Sequence, residues 1–78
     1  MRVDPAGRMV ILSPREKRLL RRLAQGKSDR RIAAEIGGTD RQIGIQRRRL
    51  IERLSIGSEA ELVKAAEQLA PWPGRFDE

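Results

Sequence analysis

Residues 37–54 read GGTDRQIGIQRRRLIERL. Placed at about 100° per residue, Ile43, Leu50, Ile51 and Leu54 fall on one side, which is the pattern of a helix with one face in a core. Arg41, Ile45, Arg48, Arg49 and Glu52 fall on the opposite side. Gln42 and Arg53 flank that exposed face, and Arg47 sits at the edge of the buried stripe. Thr39 caps the helix, and Gln42 three residues later completes a capping box. Gly44 is out of character, because glycine costs a helix interior about 1 kcal/mol relative to alanine. Its missing side chain either lets a bound molecule approach the backbone beside Ile45, or lets this helix pack tightly on another.

Toward the N-terminus, the glycines at 37 and 38 break a shorter helix that Ser28 caps and that carries Ile32, Ala33 and Ile36. The two helices are thus joined by about three residues containing glycine, the spacing of a helix-turn-helix, in which the later helix enters the DNA major groove. Further upstream, SPRE at 13–16 opens another helix. Ser13 caps it, Pro14 suits its first position and Glu16 closes a capping box. Its stripe is Leu19, Leu20, Leu23 and Ala24, and Gly26 terminates it. Downstream, Ser58 caps a fourth helix with Glu61 in the box position and a stripe of Leu62, Val63, Ala66, Leu69 and Ala70. PWP at 71–73 stops it. No segment alternates with period two, and the only aromatic residues are Trp72 and Phe76. The expected fold is therefore all-α with four helices. The expected organisation is a flexible N-terminal segment over 1–11, the domain over 12–70 and a C-terminal tail over 71–78. With about 11 residues ahead of the first helix, a stand-alone domain without its own sensing or phosphorylation module is expected.

The 78 residues suit one small domain with a modest core. Its net charge of +6 is unevenly spread. Residues 15–53 hold 13 basic and 5 acidic side chains, and the remainder holds 4 and 6. So concentrated a positive field points to a polyanion, most often nucleic acid. Histidine and cysteine are both lacking, which removes the commonest general base, the commonest zinc ligand and any thiolate site. Glu35 and Glu52 lie among arginines and read as ion-pair partners, and no nucleophile–base pair is visible. No enzyme, metal or cofactor is expected. No apolar run approaches the roughly 20 residues of a membrane span, and no signal-peptide pattern opens the chain. A cytoplasmic protein without membrane contact is expected.

The exposed face of the 40–54 helix carries the chemistry a major groove requires. Arginine can donate twice to guanine or pair with phosphate, and Ile45 can pack on a thymine methyl. Gln42 lies at the helix start, where side chain and backbone N–H groups meet a phosphate. Glu52, four residues after Arg48, is placed to pair with it and to mark the end of the contact surface.

The run from Leu12 to Val63 resembles the LuxR/GerE-type helix-turn-helix, the C-terminal DNA-binding domain of NarL/FixJ response regulators and quorum-sensing regulators. Its most specific pieces are LSPRE (12–16), LAQGKSDRRIA (23–33), RRRLIERL (47–54) and SEAELV (58–63). The resemblance implies a third helix in the major groove and a fourth that often forms a dimer surface. It implies base reading from Gly44, Ile45 and Arg48. It implies phosphate contacts from Gln42, Gln46, Arg47 and Arg49, and from the cap region around Lys27 and Ser28. Arg41, on the same exposed face, completes the DNA-binding set. Four positions depart from the family pattern. Gly38 stands where the turn is usually apolar, Gly44 where lysine or similar is expected, Gln46 where histidine is frequent and Ser55 where glycine is frequent. The expected function is a sequence-specific DNA-binding transcriptional regulator of bacterial type, dimeric on double-stranded DNA. Leu62, Val63, Ala66 and Leu69 would share core and seam, with Val63 and Ala66 outermost. The rival is a protein-interaction module that binds another transcriptional regulator or a polymerase subunit, as an anti-activator does. A sigma-factor-like helix-turn-helix is a third reading.

Overall fold

The computed structural model describes residues 11–70. Within them lie four helices: α1 (Pro14–Ala24), α2 (Asp29–Ile36), α3 (Asp40–Leu54) and α4 (Glu59–Leu69). The expected tails and the PWP stop fall largely or wholly outside the described residues.

Each helix starts where its cap chemistry places it. The Ser13 hydroxyl accepts from the Glu16 amide while the Glu16 carboxylate accepts from the Ser13 amide, and Thr39 and Gln42 do the same for α3. Ser28 accepts from the Arg31 amide. At α4 the expected box is only half formed. Ser58 accepts from the Glu61 amide, but the Glu61 carboxylate reaches one residue further back, to the Gly57 amide at 2.8 Å. Both groups remain satisfied, so α4 starts where the sequence places it.

The helix ends differ. Gly26 (φ 77°) follows α1 as the left-handed residue that lets the chain turn away, and the Lys27 amide closes back on the Arg22 carbonyl. At the end of α3 the same left-handed conformation falls on Ser55 (φ 55°, ψ 44°), a residue with a Cβ.

The core is small and built of leucine, isoleucine and alanine. Leu20, Ile32, Ile43 and Leu54 are its largest fully buried members, with Leu12, Leu19, Leu23, Ala33, Leu50, Ala65, Ala66 and Ala70 around them. Helix α1 is central, packing on α4, α2 and α3, while α2 and α3 pack on each other. Two stripe assignments shift. Ile51 is only half-buried. On α4 the deep positions are Ala65, Ala66 and Ala70; Leu62 and Leu69 are half-buried and Val63 is 42 % exposed. Alanines allow α4 to lie close against α1, and that close approach rotates the larger Val63 outward. Among the described residues no helix is long and apolar enough to cross a membrane.

Candidate nucleic-acid interface

The turn between α2 and α3 comprises Gly37, Gly38 and Thr39. Both glycines have positive φ, 91° and 101°, which a side chain rarely tolerates. The reversal packs α2 on α3 and leaves one face of α3 outside. On that face Arg41, Arg48 and Arg49 are exposed, with Ile45 among them at 43 % exposure.

The five arginines of α3 divide into two groups. Arg47 is held by α2: its Nε donates to Asp29 Oδ1 (3.0 Å) and its Nη2 to Asp29 Oδ2 (3.1 Å). Arg53 is held by α1, donating to Glu16 Oε2 (2.9 Å) and to the Ile11 carbonyl (3.1 Å). Among the described residues none supplies an ion-pair partner for Arg41, Arg48 or Arg49. Arg48 and Glu52 do not pair, so Arg48 keeps all its donors. These three guanidiniums and Ile45 form a surface whose charge is not neutralised internally. Arg30, exposed at the start of α2 and likewise unpaired, adds a fourth cation that the sequence reading left out. Its only signal was its place in the cap region, two residues after Ser28.

The other named positions have internal roles. Gln42 Oε1 accepts from the Thr39 amide (3.0 Å), which leaves its NH₂ group to donate elsewhere. Gln46 is half-buried with its Oε1 3.5 Å from Arg15 Nη2. The Ser28 hydroxyl serves as cap acceptor and retains its own proton. Lys27 donates to both Glu35 oxygens, at 2.8 and 2.9 Å. Arg31 and the buried Arg22 converge on the same carboxylate, each at 2.8 Å. Lys27 first and then Arg31 hold the Glu35 carboxyl down to about 2 against an opposing effect of burial, with Arg22 adding a smaller share. The expectation that Glu35 is an ion-pair partner matches this geometry.

Gly44 faces neither open solvent nor a tightly packed apolar neighbour. It is half-buried, and a Cβ there would sit 3.3 Å from Asp29 Oδ2, the oxygen that Arg47 binds. The missing side chain therefore makes room for the Asp29–Arg47 pair between α2 and α3. Ala66, assigned to the outside of α4, is 7 % exposed and packs mainly in the core. Val63 is the exposed member of that set. Beside it, Arg21, Ala24, Gln25, Glu67, Ala70 and the edge of Ala66 line a shallow groove between α1 and α4.

Residues 10–66 match the family described as bacterial regulatory proteins, luxR family. The chain belongs to the luxR family. It is 37 % identical over 57 residues to the transcriptional regulatory protein UhpA of Salmonella typhimurium, covering 73 % of this chain and 29 % of that protein. It is 34 % identical over 59 residues to the UhpA of Escherichia coli, covering 76 % of this chain and 30 % of that protein. The chain thus spans under a third of the length of these relatives. No solved structure matches it significantly. The luxR family is one of regulators with a helix-turn-helix DNA-binding domain, not one of enzymes, and the four helices have its all-α architecture.

Proposed function

We propose that this luxR-family domain is a sequence-specific transcriptional regulator that lays α3 in the major groove of duplex DNA and works as a homodimer in the bacterial cytoplasm. The observation that carries the reading is the internally unneutralised row Arg41, Arg48 and Arg49 with Ile45 among them, on the second helix of a helix-turn-helix. Arg48 and Ile45 face base edges in this reading. Arg41, Arg49, Arg30 and the free donors of Gln42, Gln46 and Ser28 hold phosphates, and Arg47 and Lys27 add charge from within their ion pairs. Val63, with Leu62 and Leu69 beside it, forms the contact between two copies.

A titration of a random-sequence duplex over a range of salt concentrations tests it. Three or four guanidiniums neutralising phosphates give a log–log slope of about −2.7 to −3.6 per domain, since each contributes about −0.9. An affinity that hardly moves with salt would remove DNA as the main partner and favour a module that binds another regulator.

A further inference from the structure

Arg15 is at the wrong end of its own helix. It occupies the second position of α1, where the helix dipole favours acidic groups and disfavours cations. Its side chain crosses to the opposite end of another helix. Nη1 donates to the Ile36 carbonyl (2.8 Å) and Nη2 to the Gly37 carbonyl (2.9 Å). These are orphan acceptors at the C-terminus of α2, where a cation is favoured. α2 has no basic residue in its own last turn. The Gly37 amide closes on the Ala33 carbonyl, and the side-chain part of the cap comes from α1, 21 and 22 residues away in sequence.

The turn is shaped to admit that guanidinium. A Cβ on Gly38 would lie 3.2 Å from Arg15 Nη2 and 3.2 Å from Gln42 Oε1. Neither glycine has a side chain to anchor the turn to the core, and the Thr39 side chain is taken up in capping α3. Arg15 does the anchoring from outside, and on its far side Nη2 lies 3.5 Å from Gln46 Oε1 on α3. One guanidinium thus meets the last turn of α2, the reversal and the second turn of α3.

We propose that Arg15 is the positioning residue of the α2–α3 turn: by tying the Ile36 and Gly37 carbonyls to α1, it sets the angle at which α3 presents Ile45 and Arg48. This rests on the DNA-binding reading. Lysine at the same place offers a point charge with no planar fork, so it reaches one carbonyl at a time and restores the strap only in part.

The test compares wild type with Arg15→Met, Arg15→Lys and Lys17→Met, the last removing a neighbouring charge that has no ion-pair partner among the described residues. The probes are a duplex enriched by the wild type from a random-core library and an unselected duplex of equal length. Arg15→Met is expected to bind the enriched duplex at least tenfold more weakly than Lys17→Met does, while the two bind the unselected duplex alike. Arg15→Lys recovers part of the loss. Residual dipolar couplings, which need no DNA, should show α3 reoriented relative to α1 in Arg15→Met and α4 unmoved. If Arg15→Met does not fold, Arg15→Lys carries the same comparison with a smaller loss. Unchanged couplings, or losses on the enriched duplex equal to those of Lys17→Met, overturn the strap and leave the DNA reading standing. A wild type that binds neither duplex overturns the DNA reading itself, and with it any part for Arg15 in groove entry.

Discussion

Arg47 and Asp29 form a two-pronged ion pair between α3 and α2, and Gly44 lies one helical turn before Arg47 with its absent Cβ aimed at the same carboxylate. An alanine at 44 brings two opposing effects. It removes the glycine penalty of about 1 kcal/mol. It also pushes Asp29 Oδ2 by a few tenths of an ångström, and Arg47 holds that oxygen in place. Gly44→Ala should therefore gain clearly less than about 1 kcal/mol in the wild type. In an Asp29→Ala background the obstacle is gone and the full gain should appear. Urea melts of the four proteins give the coupling directly. Equal gains in both backgrounds would show that Asp29 does not constrain the site.

Ser55 holds a left-handed conformation that glycine adopts freely. Its amide still closes on the Glu52 and Ile51 carbonyls, so the cap geometry is sound and only the Cβ is strained. Ser55→Gly should raise stability by about 0.5–1 kcal/mol, the strain relief exceeding the extra freedom of glycine in the unfolded chain. The denaturation midpoint should rise with an unchanged slope. A lower midpoint would mean that the Ser55 side chain contributes something the geometry does not reveal.

The cap boxes and the α3 stripe were legible in the sequence because both are local. A cap acts over three residues, and a stripe such as Ile43, Leu50 and Leu54 repeats with the helix period. What the sequence did not reveal is of two kinds. Arg47–Asp29 and Arg15–Ile36 join residues 18 and 21 apart, and although the helix period set Arg47 apart from Arg48 and Arg49, no local pattern names the partner of either arginine. On α4 the larger apolar residues drew the stripe toward Val63, whereas the buried line runs through alanines that let α1 approach. Glu61 took the right position for a box and bonded the neighbouring amide, a difference of one residue that only the loop path decides.

Val63 and Ala66 now separate what the stripe had merged. Val63→Glu puts a charge on a surface site and should change stability by no more than about 0.5 kcal/mol. Ala66→Glu puts an unpaired carboxylate between α4 and α1 and should unfold most of the domain. If two copies meet through α4, Val63→Glu should also abolish self-association in sedimentation equilibrium. A Val63→Glu protein that associates as the wild type does would move the seam elsewhere.

Glu35 makes a pH-dependent contribution. Its carboxyl titrates near 2 in the folded protein, below its usual 4.5, because Lys27, Arg31 and Arg22 favour the charged form. The folded state therefore holds the proton less tightly than the unfolded chain. The stabilisation is complete above about pH 5 and is lost as pH falls from about 4.5 toward 2. The difference in melting temperature between wild type and Glu35→Gln should be flat from neutral pH to about 5 and shrink below it. Added salt should reduce it, since the cluster lies at the surface. A difference that persists unchanged to pH 2.5 would mean that the carboxylate charge is not what holds the three cations together.

The arginines of α3 give the sharpest separation of roles. Arg48 follows Ile45 by three residues on the outer face and has no ion-pair partner among the described residues, so on a preferred duplex its donors can reach a guanine twice. Arg48→Ala should cost about 1–3 kcal/mol there and markedly less on unselected DNA. Arg49→Ala should weaken both duplexes alike and make the salt slope shallower by about 0.9, the signature of one lost phosphate contact. Arg47→Ala differs from both, because it strips Asp29 of its counter-charge. The bare carboxylate then lies at the start of α2, close to where phosphates must come. Arg47→Ala should lower the melting temperature and weaken both duplexes, and removing Asp29 as well should restore much of the binding. If Arg47→Ala and the Asp29→Ala, Arg47→Ala double mutant bind equally weakly, Arg47 acts as a phosphate contact in its own right. The ion pair would then be a resting arrangement that DNA displaces.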